Sequence, residues 1–542
     1  MRIPPGVRER DFAAALREFE AVVGKEWVFT SDEDLDLYRD AYSPLFGEPE
    51  ERIASGAVAP DRVEQVQAIA RVANKYKIPI YPISTGRNLG YGGSAPNYSG
   101  SVVLDLKRMN RILDVSERNA SCLVEPGVSY FDLCRHIEEK GLKVWVDVPD
   151  PGWGSLIGNA LDHGGGYTMA LYRNHFDAHC GMEVVLANGD LVRTGMGALP
   201  GAETWQQFKY GVGPSIDGIF SQSNFGIVTK MGFWLLPEPD AYLSGTVNVP
   251  RYGDIVPLVD ILTYIENAGV SNGMPMLGSQ VLAGGGILGG PPPEPELAAL
   301  LATPGGPRPE DIDAYGQRKS IPCWNLSLRF YGPAKAIEAQ WEHTREKFSS
   351  IPGATFQPGP LIKLPLTPEQ RERVHKPEFG IPSLEMFSIG ARSELNPTPT
   401  NGHMWFSPII PRTGEAVSEA SRVFRQASQE LGIPIGATVI PTMYWLRAFV
   451  LIVALPITRN IETNKKNRAA MSRLIQISAE HGWGEYRTPP AFQDAVMGAY
   501  SFNNNALLRL HETIKDALDP NGIISAGRYG IWPKHLRGAR RS

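Results

Sequence analysis

The sequence predicts an α+β protein of at least two domains. A chain of 542 residues exceeds what one hydrophobic core usually organises. Stretches with apolar residues at helical spacing are interleaved with short apolar runs bounded by turn residues. Two glycine clusters, "STGRNLGYGG" (84–93) and "GNALDHGGGY" (158–167), mark places where the backbone approaches something closely.

The elements follow in order. Phe12, Leu16, Phe19 and Val22 predict a helix over 10–24, and Val63, Val66, Ile69 and Val72 predict another over 61–76. "IPIYPIS" is a strand leading into the first glycine cluster. "GSVVLDL" (100–106) and "SCLVEPGV" (121–128) are strands; 129–141 is a helix capped by Ser129 and stopped by Gly141. Residues 180–195 form a hairpin around Asn188-Gly189. "FGIVTKMGFWLLPEP" (225–239) closes this half with a strand and a proline stop. The Gly- and Pro-rich stretch 280–310 is expected to be a surface excursion outside the core. Strands such as "LSLRFYG" then alternate with helices such as "KAIEAQWEHTREKF", and "AFVLIVALPI" (448–457) is a buried strand. A helix, an Asp-Pro-Asn-Gly turn and a glycine-punctuated loop end the chain.

Bulk composition excludes several classes. Apolar residues are 42%, charged residues 20%, and the net charge is −5 without a long basic run, so no nucleic-acid footprint is expected. Four cysteines without a CxxC pair argue against a zinc site or a disulfide framework, and no metal is expected. The N-terminus has no secretory apolar region, and no run of 18 apolar residues exists. A cytoplasmic protein that does not enter a membrane is expected.

The first glycine cluster admits two readings. It is either a tight turn between core elements or a cradle whose N–H groups converge on a pyrophosphate. Its GxxxGxGG spacing is neither a Walker loop nor a GxGxxG fingerprint. Tyr91 within it reads as a packing tyrosine by itself, and Asp150 in "DVPDPGWGS" as a turn residue between prolines.

The ordered series of motifs resembles the flavoprotein superfamily typified by vanillyl-alcohol oxidase and p-cresol methylhydroxylase. The series runs through "IPIYPISTGRNLGYGG", "GSVVLDLKRMNRI", "VEPGV", "GNALDHGGGY", "GMEVVLANGDLVRTGMGALPG", "YGVGPSIDGIFSQSNFGIVTKMGFWL", "GWGEYRT" and "DPNGIISAGRYGIWP". The resemblance implies an FAD-binding domain built from residues 1–238 and 488–542 around a cap domain of 239–487. It implies that FAD is held by Ser84, Thr85, Gly86, Arg87, Asn88, Gly90, Gly92 and Gly93 of the first cluster. Pro149, Gly154, Ser155, Gly158, Asn159, Gly165 and Tyr167 around the second cluster, then Gly226, Ile227, Val228 and Arg528, complete the implied set. Tyr91, Tyr486 and Arg487 would bind a phenolic hydroxyl and favour its loss of a proton, assisted by Arg528. Asp150 would serve the flavin side of the reaction, a feature similar to the oxidases, whereas "FKYGVGP" and "KMGFWLLPEP" are similar to the methylhydroxylase.

The implied activity is oxidation of a para-substituted phenol through a para-quinone methide, with dioxygen as acceptor. Transfer to an electron carrier such as a cytochrome, a lyase-type reaction on a phenolic dimer, and an inactive flavin-binding protein are the alternatives. A homodimer or larger assembly is also implied. One departure from the family stands out. Leu446-Arg447 and Gly390 occupy the places of the family's covalent flavin attachments, Gly90 occupies that of more distant relatives, and Tyr444 is offset. FAD is therefore expected to be non-covalent. Arg447 and the aromatics of "MYWLRAF" are expected to reshape the substrate side.

Overall fold

A computed structural model describes residues 2–88, 90–169, 174–282, 294–384, 401–433, 443–445 and 447–538. The first sheet has the strand order Val28–Phe29, Gly56–Val58, Val102–Asp105, Ile80–Ile83. Gly56–Val58 and Ile80–Ile83 both pair in parallel with Val102–Asp105, as the intervening helix Val63–Tyr76 requires. That helix and Glu9–Val23 bury Phe12, Phe19, Val66 and Ile69 against the sheet. Parallel strands ending at one edge leave the loop 84–93 at the carboxyl end of Ile80–Ile83.

A second, antiparallel sheet has the order Ile112–Ser116, Ser121–Val124, Ile227–Trp234, His179–Val185, Leu191–Arg193. The hairpin turn at Asn188-Gly189 forms as its sequence dictates, with Gly189 at φ +84°. The helix Tyr130–Glu139 starts on a Ser129–Asp132 capping box and is followed by Gly141 at φ +63°.

A two-stranded sheet pairs Val144–Trp145 with Leu236–Pro237, and residues 241–458 carry the other sheets. Ala241–Val249 pairs along its whole length with Trp324–Gly332, and also with Thr355–Pro358 and Ile362–Lys363. Both long strands bury nearly every second residue, the period of a half-covered sheet. Helices Ile255–Asn267, Ala334–Phe348, Gly414–Leu431 and Ile461–Glu480 cover this region and share one large core with it. No described helix is long and apolar enough to cross a membrane.

Two expectations need correction. The run 448–457 is buried, but it forms two strands, Ala448–Val450 and Val453–Thr458, that pair in different sheets. The 280–310 stretch is not simply a surface excursion. Val281 and Leu282 are fully buried, and Pro295–Leu301 is a helix that seats Leu297 in the core. Proline at the start of a helix costs no hydrogen bond, so a Pro-rich context announces this element instead of breaking it. Residues 283–293 lie outside the described set.

The C-terminal segment returns to the first sheet. Ile80 donates to Ile523 O at 2.7 Å, and Ser525 donates to Ile80 O at 2.8 Å. The return is secured by Lys515, fully buried at the end of the helix Phe502–Leu518. Its ammonium donates to Asp519 Oδ2, Asn224 O and Ile524 O, each at 2.7 Å. Burial pushes its pKa down, and Asp519 partly restores it. Lys515→Met should leave the Asp519 charge buried and unpaired, lowering stability by about 3–5 kcal/mol in denaturant titration.

Candidate functional site

The first glycine cluster forms a tight loop. Gly86 sits at φ +67° and Gly92 at φ +114°, conformations that side chains resist. A Cβ on Gly86 would lie 2.1 Å from Ser94 Oγ, and one on Gly158 would lie 2.3 Å from Ser84 Oγ. The two glycine clusters are thereby pressed together. Ser155 caps the short helix Leu156–Leu161 at this junction. Both clusters line one cavity of about 470 Å³.

The cavity wall contains most residues singled out in the sequence. Ser84, Thr85, Gly86, Arg87, Asn88, Gly92 and Gly93 contribute from the first cluster. Pro149, Gly154, Ser155, Gly158, Asn159, Gly165 and Tyr167 contribute from around the second, followed by Gly226, Ile227, Val228 and Arg528. Tyr91, Asp150 and Arg487 line it as well. Close backbone approach, Ser and Thr hydroxyls and the cations Arg87 and Arg528 fit an elongated group that carries phosphates.

Three of the implied residues stand off this wall. Gly90 is not on the cavity wall. A Cβ there would meet Trp405 at 2.3 Å and His403 at 2.9 Å, so this glycine makes room for the strand Asn401–Phe406. Tyr486 is not on the wall either; its hydroxyl lies 3.5 Å from that of Tyr91. Arg447 sits exposed in a turn and does not line the cavity. Arg329, on the strand Trp324–Gly332, does line it, as do Glu378 and His375. Gly390 and Leu446 lie outside the described residues, as does the side chain of Tyr444.

Tyr91 is buried, and its hydroxyl is 2.5 Å from Ser407 Oγ. The Arg487 guanidinium stacks 3.9 Å from the centre of the Tyr91 ring and 5.3 Å from that of Tyr486. Burial raises the Tyr91 pKa well above its ordinary value, so this hydroxyl stays protonated and can donate. The Arg487 side chain makes no hydrogen bond to any described residue; its ion pair with Asp162 is long, at 3.8 Å.

Asp162 is the residue that sequence reasoning missed. Its Oδ1 accepts from Arg528 Nη2 at 2.9 Å and from Tyr529 Oη at 2.5 Å. Its Oδ2 accepts from Asn88 Nδ2 at 2.6 Å. Asp150 is half-buried in the cavity wall and accepts from Ser383 Oγ at 2.7 Å. Glu378, also on the wall, accepts from Arg329 Nη2 at 2.7 Å and Tyr242 Oη at 2.5 Å. Burial alone would raise the Glu378 pKa, but His375, Arg329 and Tyr242 together bring it down to about 2.

Comparison with known proteins gives a consistent pattern. Residues 54–195 match the family model described as an FAD binding domain. The chain is 33% identical over 534 residues to the 4-cresol dehydrogenase [hydroxylating] flavoprotein subunit of Pseudomonas putida, covering 98% of this chain and 97% of that one. It is 29% identical over 514 residues to 1'-carboxy-chondrochloren decarboxylase of Chondromyces crocatus, covering 88% and 91%. The solved 4-ethylphenol oxidase from Gulosibacter chungangensis superimposes with a TM-score of 0.83 at 34% identity, over 99% of this chain and all of that one.

Glu485, next to Tyr486, is buried with Oε1 unpartnered, while Oε2 accepts from Ser407 N at 3.2 Å. Burial pushes its pKa up to about 8. A raised carboxyl pKa means the folded state holds a proton that the unfolded state has released. The associated stability is complete below the ordinary carboxyl value and is lost as pH rises towards about 8. Glu485→Gln should therefore flatten the fall in melting temperature across that interval and raise it at the alkaline end.

Proposed function

The chain belongs to the p-cresol methylhydroxylase and vanillyl-alcohol oxidase family of FAD-dependent phenol oxidoreductases, and from that premise we propose that it oxidises a para-substituted phenol at the carbon attached para to the hydroxyl. The observation that carries the reading is Arg487: a half-buried cation whose side chain makes no hydrogen bond to a described residue, stacked on Tyr91 in the cavity wall.

In this reading the phenol oxygen meets Arg487 and the hydroxyls of Tyr91 and Tyr486. A free phenol ionises near pH 10. A fixed guanidinium and neutral O–H donors favour the anion. The phenolate pushes electrons toward the para carbon and makes loss of hydrogen from it feasible, leaving a para-quinone methide. FAD, when bound, supplies the two-electron acceptor for that oxidation, with dioxygen or an electron carrier as the final acceptor. Asp150 also lines the cavity, where a carboxylate can take a proton from water adding to the quinone methide. Residues 1–238 and 488–542 form the FAD-binding part in this reading, and 239–487 the cap.

A lyase-type variant is the second reading. Arg329 and His375 line the cap side of the cavity, where a longer, oxygenated side chain would lie. The similarity to a protein described as a carboxy-chondrochloren decarboxylase agrees with it.

Two experiments test the proposal. A para-alkyl phenol and its methyl ether are compared by anaerobic bleaching of the flavin. The ether cannot become an anion, so it should bind without bleaching; equal rates would exclude a phenolate. On the phenol, Tyr91→Phe should slow bleaching about 10- to 150-fold, the loss of one hydrogen bond to a charged oxygen, and Arg487→Ala should slow it more. Separately, Leu446-Arg447 and Gly390 offer no nucleophile for a flavin bond. Acid precipitation should release all flavin into the supernatant, and a fluorescent band on a denaturing gel would show a covalent link.

A further inference from the structure

Asp162 touches both arginines at the phenol end of the cavity. Its two oxygens are used differently. Oδ1 is saturated by the C-terminal loop, through Arg528 and Tyr529. Oδ2 holds Asn88 of the glycine loop at 2.6 Å and stands 3.8 Å from Arg487 Nη1. The carboxylate therefore neutralises Arg528 at close range and Arg487 only at a distance. Two guanidiniums against one carboxylate leave a net single positive charge, and the cation with donors to spare is Arg487.

We propose that Asp162 is a positioning residue that aims Arg487 and limits the positive charge around it, and so sets the pH at which a phenol bound there loses its proton. The inference rests on the phenol-binding reading above. Ionisation breaks the phenol O–H bond, the proton leaves to solvent, and the oxygen anion remains beside Arg487.

The surrounding groups leave this charge unopposed. Tyr91, Tyr167 and Tyr529 are held neutral, their pKa values raised by burial. The pKa of His163, beside Asp162, is lowered by burial, which outweighs the carboxylates of Asp162 and Asp177. The Asp150 carboxylate acts on Tyr167, where it opposes the influence of Arg487. Asp162 is thus the anion nearest to Arg487, and a nearby opposite charge moves a pKa by about 1–3 units.

The test uses FAD-loaded protein and 4-cyanophenol, which has no C–H bond on its para carbon and so reports binding alone. Ultraviolet absorbance of bound phenol against pH gives its apparent pKa. Wild type should lower that pKa below the free value; no lowering would overturn the phenol-binding reading itself. Asp162→Asn removes one negative charge while keeping the shape. It should retain FAD and lower the bound pKa by about one further unit or more. Asp162→Ser removes the same charge and leaves space for water beside Arg528 and Asn88, and should shift the pKa the same way. A lowered wild-type pKa that neither variant shifts would overturn the proposal. Loss of FAD in both variants would also overturn it, by assigning Asp162 to holding the loops together.

Discussion

The burial of Lys515 with Asp519 is the interaction on which the rest of the site depends. A lysine with no exposed surface is stable only if every proton on its ammonium finds an acceptor, and here three do. Two of those acceptors, Asp519 and Ile524 O, lie in the returning C-terminal segment, while Asn224 O lies just before the strand Ile227–Trp234. Asp519 in turn accepts from the backbone of Ile523 and Ile524, at 2.9 Å each. The same knot that satisfies one charge thus fixes the path of the segment carrying Arg528 and Tyr529. Asn224 adds a second tie, donating to Ser525 O and Ile531 O.

That fixed path explains why the cavity can combine groups that are remote in the chain. Arg528 and Tyr529 reach Asp162 across sequence separations of 366 and 367 residues. Tyr91 and Ser407 meet across 316. Such contacts order long loops, and their entropic cost must be met by burial elsewhere. Ile523 and Ile524 supply part of it, fully buried in the same core as Phe12 and Val66.

The legible parts of the sequence were those whose cause is local. The Ser129 cap, the Asn188-Gly189 turn and the alternation along 241–249 each depend on neighbours a few residues away. The glycine loop was legible for the same reason, except at Gly90, whose missing side chain answers Trp405 and His403 of a distant strand. Asp162, inside the second glycine cluster, carries no local sign of its role, because nothing near it in the chain reveals two arginines arriving from the C-terminal end. Arg447 drew notice for its position in a motif, but a turn places it in solvent. Arg329, in an ordinary alternating strand, carries no local sign that one of its faces lines a cavity.

The two charged clusters of the cavity differ in how completely they are balanced, and this difference bears on how a phenol would enter. At one end Arg329 is paired at 2.7 Å with Glu378, whose pKa of about 2 keeps the pair intact at any physiological pH. That end attracts oxygen atoms weakly and without preference for an anion. At the other end Arg487 has its nearest carboxylate among the described residues at 3.8 Å and an aromatic face at 3.9 Å, so its positive charge is incompletely neutralised. An anion gains more there than any neutral group could. In the proposed reading, the hydroxyl end of the substrate settles at Arg487 because ionisation is favoured there and not at Arg329. The para carbon is then directed away from Arg487, into the part of the cavity that Asp150 lines.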